Sequence, residues 1–224
     1  MSLRLYPFRQ YSEFDVINLF ASDTADAAPS TNGNGSAGVF VKVSAGNMDL
    51  DPITYAANSY LGNTDYPFLG AAQYPSVPLT FTAATAGVPV LGVTLNQTLL
   101  ADENGEKLLY NPIKKSELQA VLSGQAVPVA TRGVFTLADT AIDWVDANMA
   151  PNSHLAISAN AGKVTGYAAS QVSPLTGQYS IIGRVLATGT RVSQNGKSDY
   201  YAGTGTAGAK YALVQIDCTS SYTV

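Results

Sequence analysis

Apolar and polar residues alternate singly in "VFVKVSAG" (39–46), the period of a strand with one buried face. The stretch "SVPLTFTAATAGVPVLGVTLNQTL" (76–99) is β-branched and apolar with Gly and Pro punctuation, which predicts two or three short strands. Further strands are predicted in "QAVPVATRGVFTL", "HLAISANAGKVTGY", "YSIIGRVLATGTRV" and "AKYALVQIDC". The helical period emerges once with force, in "NPIKKSELQAVLSG" (111–124). Pro112 suits its first turn, Leu118, Val121 and Leu122 form an apolar stripe, and Gly124 is a natural terminator. A shorter helical candidate is "LADTAIDWVDANM", capped by Asp139 or Thr140. The expected fold is mainly β, a barrel-like or sandwich-like domain with one or two short helices. Gly92 in "VLGVTL" and Gly183 in "IIGRVL" follow two large aliphatics, and glycine inside a strand predicts a bulge or a close backbone approach.

Other segments break the pattern. "SDTADAAPSTNGNGSAG" (22–38) is small, polar and turn-rich, too poor in apolar area to order itself, and reads as an exposed loop or linker. Before it, Arg4 and Arg9 stand in an acid-free dodecapeptide, whereas residues 13–65 hold seven acids and one base, Lys42. That reversal of sign predicts an N-terminal arm whose partner differs from the body's. The expected division is an arm over 1–21, the polar loop over 22–38, and one β-rich domain over 39–224. If that domain divides again, it does so near 138–152.

The glycine pattern of a dinucleotide loop occurs twice, as "GNGSAG" (33–38) and "GTGTAG" (203–208). A nucleotide loop must open a helix and be followed about twenty residues later by an acid. Both runs lead into predicted strands instead, so they are read as turns.

Composition narrows the function. Only 12% of residues are charged, with 12 basic and 16 acidic side chains and a net charge of −4, which argues against nucleic acid as a ligand. A surface this poor in charge calls for cover by a partner. Residues 66–101 carry no charge, but Pro67, Pro75, Pro78 and Pro89 interrupt the run and exclude a membrane-crossing helix there. The N-terminus lacks the apolar run of a signal peptide, so synthesis in the cytoplasm is expected. The lone Cys218 is read as a small buried hydrophobe.

Catalytic groups are sparse. His154 is the single histidine, too few for an ordinary His or Cys metal site, and no G-x-S-x-G elbow accompanies it. "DLDP" (49–52) and "DENGE" (102–106) bring acids together as a calcium loop might, but Asn104-Gly105 favours a turn. No enzyme activity, cofactor, metal or small-molecule substrate is expected. The thirteen tyrosines against one tryptophan suit wet interfaces. Aromatics in and beside the basic arm need a groove to lie in, so Arg4, Tyr6, Phe8, Arg9, Tyr11 and Phe14 are the candidate contact residues.

Residues 88–137, with the apolar strand "VPVLGVTL", a helix ending at Gly124 and "VPVATRGVFTL", resemble head decoration (capsid cement) proteins of tailed bacteriophages. "GKVTGYAAS", "IIGRVLATGT" and "AGAKYALVQID" look like the second half of the same pattern, so the likeness covers roughly residues 75–217. It implies a structural protein on the outer surface of the virion, bound to the shell of the major capsid protein as a homotrimer or a dimer. Its interfaces would be extended and nearly neutral, and so weakly sensitive to salt. The other reading is a tail or fibre β protein that binds a host glycan, with "NSYLGNTDYPF" (58–68) as its aromatic platform.

Overall fold

The computed structural model describes residues 4–22, 35–45, 79–99, 101–102, 104–122, 125–145, 148–167, 180–190, 210–219 and 222–223. The strands up to residue 98 are β1 (Leu5–Gln10), β2 (Val16–Ile17), β3 (Ala21–Ser22), β4 (Phe40–Ala45), β5 (Thr80–Ala83), β6 (Gly92–Thr94) and β7 (Gln97–Thr98). Helix α1 (Pro112–Glu117) follows, then β8 (Ala120–Val121), β9 (Val129–Ala130), β10 (Arg132–Ala138), β11 (His154–Ile157) and β12 (Val164–Tyr167). The last strands are β13 (Ser180–Thr190), β14 (Lys210–Asp217) and β15 (Tyr222–Thr223).

They form two large sheets and a small one. The first runs β1-β10-β14-β13-β11-β12, with β15 also on β13; the second runs β2-β9-β6-β4-β5-β3. Pairing in both is antiparallel except β3 on β5, and β7 pairs with β8 in parallel as a separate ribbon. Neither large sheet closes on itself. Phe40, Val93 and Ala130 of the second sheet share one buried cluster with Phe135, Leu137, Leu155, Ile182 and Val214 of the first. The arrangement is sandwich-like.

Two strand pairs turn the corner between the sheets. β1 and β10 pair in the first sheet, and the chain just beyond them, β2 with β9, pairs in the second. Thr131 marks the bend. Its amide and its hydroxyl both donate to the Asp15 carbonyl, at 2.8 and 3.0 Å, and its own carbonyl accepts from the Cys218 amide. Strands that change sheet in this way are how orthogonal sandwiches make corners.

The second sheet is buried on both faces. Phe40 points into the shared core, while Val39 and Val41 join Phe81, Val127 and Val129 in a second cluster on the opposite side. The alternation in "VFVKV" therefore covers two buried faces at its start and opens to solvent from Lys42, with Val43 exposed.

Both in-strand glycines lie where a neighbouring strand comes close. A Cβ on Gly92 would overlap the carbonyl oxygen of Ala130, and one on Gly183 that of Gln215. Gly183 also adjoins the register shift between β11 and β13, the expected bulge, whereas Gly92 pairs in regular register with Val41.

Three expectations need correction. The helix from Asn111 is short: the Asn111 side chain accepts from the Lys114 amide and Pro112 opens the helix, but α1 stops at Glu117 rather than running to Gly124. Gln119 turns left-handed (φ +48°), and Ala120–Val121 then pair in parallel with β7. Leu118 and Leu122 still bury, against Leu99 and Leu108, so the apolar stripe was real although the helix was not continuous. Second, the "LADTAIDWVDANM" segment holds a 3-10 turn, Asp139–Ala141, with no side-chain cap. The chain extends from there because Ile142 bridges Val164 and the Asp143 amide donates to the Val164 carbonyl. Third, the end of the polar loop is embedded. Gly35 and Ser36 are buried and their carbonyls accept from the Thr98 amide and the Thr94 hydroxyl. Residues 23–34, "GTGTAG", "DLDP" and "NSYLGNTDYPF" lie outside the described residues.

Candidate interaction surface

The six contact residues expected in the N-terminal stretch do not act alike. Strand β1 is extended, as an arm would be, but it lies on its own body as the edge strand of the first sheet, with Leu5 opposite Leu137 and Gln10 opposite Val134. The expectation of an arm free of the body is not met. Leu5 has a place in the main core, and its burial acts together with the strand pairing and the Tyr11–Phe135 stack to hold β1 on the body.

Arg4 is only 2% exposed and is withdrawn from any surface role. Its Nη2 donates to the Thr140 carbonyl at 3.3 Å, while Nε and Nη1 are buried with no hydrogen-bond partner. Burial alone lowers its pKa to about 10. Arg9 is tied down internally, donating from Nη1 to the Leu95 carbonyl and from Nη2 to the Gln119 side chain, each at 3.2 Å. Tyr6 meets the ring of Tyr211 edge-on at 6.4 Å, and Tyr11 stacks on Phe135 at 5.9 Å.

The two phenylalanines differ from these. Phe8 is 68% exposed and lies at the register irregularity between the paired residues Leu5 and Arg9 of β1; Phe14 is 99% exposed on a 3-10 turn whose Ser12 cap accepts from the Phe14 amide. Large apolar rings exposed to water are the costly feature of this end of the molecule.

A second exposed set went unforeseen. Leu109, Tyr110 and Ile113 stand in solvent on the 3-10 turn Leu108–Tyr110 and on α1. Ile113 was the available signal, because it falls off the Leu118–Val121–Leu122 stripe where a surface helix normally carries a polar residue. The Arg9–Gln119 hydrogen bond joins β1 to the chain just beyond α1, so the element bearing Phe8 is fastened to the one bearing Ile113.

The groups of chemical interest are scattered. The Asp102 carboxylate caps its own turn, its Oδ1 accepting from the amides of Asn104 and Glu106 at 2.9 and 2.8 Å, with Gly105 at φ +84°. That is the turn reading of "DENGE". Cys218 is buried, and desolvation first and the charge of Asp217 second push its thiol up to about 12. The described residues hold no group of three or more His, Cys, Asp or Glu placed for a metal ion, and none of their helices is long and apolar enough to cross a membrane. His154 lines an open groove of about 340 Å³ on the first sheet, with Asn152, Arg184, Gln215 and Asp217.

No family model, curated protein or solved structure matches this chain.

Proposed function

We propose that this chain is a structural virion protein that decorates an icosahedral bacteriophage head, binding the shell of the major capsid protein from outside as a homotrimer. The observation that carries the reading is the pair Phe8 and Phe14, large apolar side chains exposed on β1 and on the 3-10 turn that follows it. Side chains carried on regular elements have mainly their own rotamer freedom to lose when a partner covers them. Each contributes about 2 kcal/mol on burial, and a trimer multiplies the contact. The sandwich-like fold and the low charge density support the same reading, since a decorating protein needs a stiff body and an extended, nearly neutral interface. Its work is mechanical: contacts that bridge neighbouring capsid subunits resist outward pressure, and no bond is made or broken.

The test is co-sedimentation with heads of the phage that encodes the chain, comparing the native protein with the double variant Phe8→Ser, Phe14→Ser. The native protein is expected to saturate the heads, and the variant to bind at least tenfold more weakly with an unchanged melting temperature. Native protein left in the supernatant, or a variant that decorates like the native chain, would overturn the reading.

A further inference from the structure

Antiparallel register aligns one row of side chains across the outer face of the first sheet. Tyr167 on β12 is opposite His154 on β11, His154 is opposite Arg184 on β13, and Arg184 is opposite Gln215 on β14. Directly opposed residues share a face, so these four form a continuous ledge. The open groove of about 340 Å³ lies along it, lined by His154, Arg184 and Gln215 of the row together with Asn152, Gly183 and Asp217.

The polar groups of this groove are positioned yet not consumed. Arg184 Nε donates to Gln215 Oε1 at 2.9 Å, which orients the guanidinium plane and directs the amide nitrogen of Gln215 away from Arg184. The terminal amino groups of Arg184 and the ring of His154 have no hydrogen-bond partner among the described residues. Asn152 is held at φ +70° by its amide, which donates to the Val185 carbonyl at 2.8 Å. Asp217, the one acid in the groove, is already compensated: Oδ2 lies 3.4 Å from Arg132 Nε, and Oδ1 accepts from the Thr219 amide and hydroxyl. Among the described residues of the groove, Arg184 is therefore the uncompensated charge. Gly183 lets β13 and β14 approach closely beneath the groove, since a Cβ there would strike the Gln215 backbone.

We infer that this groove is a binding site for a carboxylate-bearing sugar, a hexuronic acid unit. The guanidinium fork matches a carboxylate, with two parallel N–H donors to two oxygens. The carboxamides of Asn152 and Gln215 and the imidazole of His154 donate and accept, as ring hydroxyls require. Tyr167 borders the row with an amphipathic ring suited to a sugar face. The volume falls at the small end of ligand sites, about 300–1,000 Å³, which fits one ring and not a long chain. A bare anion would engage Arg184 and leave the amides idle; a neutral sugar would leave the guanidinium unpaired.

The experiment is calorimetric titration of the full-length protein with glucuronate, glucose and acetate at constant ionic strength. Glucuronate is expected to saturate the protein with a millimolar Kd, at least tenfold tighter than either glucose or acetate. Arg184→Ala should weaken glucuronate at least tenfold, and Arg184→Lys, which keeps the charge and loses the fork, should also weaken it. Gln10→Ala, on the same sheet outside the groove, should leave it unchanged. Acetate binding as tightly as glucuronate would reduce the site to a simple anion contact and overturn the assignment. Equal affinity for glucose, absence of saturation, or full affinity in Arg184→Ala would overturn it as well. Because every readout uses isolated protein, failure here leaves the decoration reading standing on its own test.

Discussion

Arg4 shows how far one residue can depart from its surface reputation. An arginine near a terminus is ordinarily a solvated charge, but the chain carries this one inward beside Leu5, where two of its nitrogens find no acceptor. Burial lowers its pKa to about 10, so the charged form is disfavoured in the folded state. The sign follows directly. Below pH 10 the folded protein carries the full penalty, roughly 3 kcal/mol for such a shift. As pH rises above 10 the folded state sheds the proton before the unfolded state does, and the penalty shrinks. Arg4→Met is therefore expected to raise stability at pH 7 by about 1–3 kcal/mol. The gap between variant and native protein should close as pH rises above 10, measured by urea denaturation across that range. A variant less stable than the native chain at pH 7 would show that the guanidinium is satisfied in solution. The sequence displayed Arg4 and its charge; it held no sign of the burial, because nothing local distinguishes an arginine on a core-facing strand end from one in solvent.

Among the elements, β1 changed most between expectation and structure. Its composition, two arginines and several aromatics without an acid, reads as an arm with a partner of its own, and it contains Pro7, which cannot donate to a strand ladder. Yet an edge strand needs hydrogen bonds on one side only, so proline is tolerated there, and the Tyr11–Phe135 stack adds side-chain cover. Deleting residues 1–12 should therefore destabilise the body, lowering its melting temperature by at least several degrees, since it uncovers Phe135 and leaves β10 as a bare edge. Calorimetry of the truncated protein would show it, and an unchanged melting temperature would mean that β1 is detached in solution. The α1 region taught the converse. Its apolar spacing named the residues that bury, Leu118, Val121 and Leu122, but the spacing alone did not decide between helix and helix-then-strand. The backbone of β7, some twenty residues away, decided it by requiring a partner.

For the whole molecule, the low charge and the exposed sets around Phe8, Phe14 and Ile113 point to association. Closed rotational symmetry is the default for identical chains, and sedimentation at micromolar concentration is expected to show a trimer. A monomer at every concentration would separate the decoration reading from its oligomeric form. The β-rich class, the positions of β4 to β6 and β9 to β14, and the close approach at Gly92 and Gly183 were set by the sequence itself. Period-two alternation and in-strand glycine are local imprints of a buried, crowded face, so they are legible one residue after another. Only tertiary structure decided that β1 joins the first sheet, that the chain changes sheet at Thr131, and that His154, Arg184 and Gln215 line one groove. Those outcomes depend on pairings between residues thirty or more positions apart, whose register is chosen by which partner leaves the fewest backbone groups unsatisfied and the most apolar area covered.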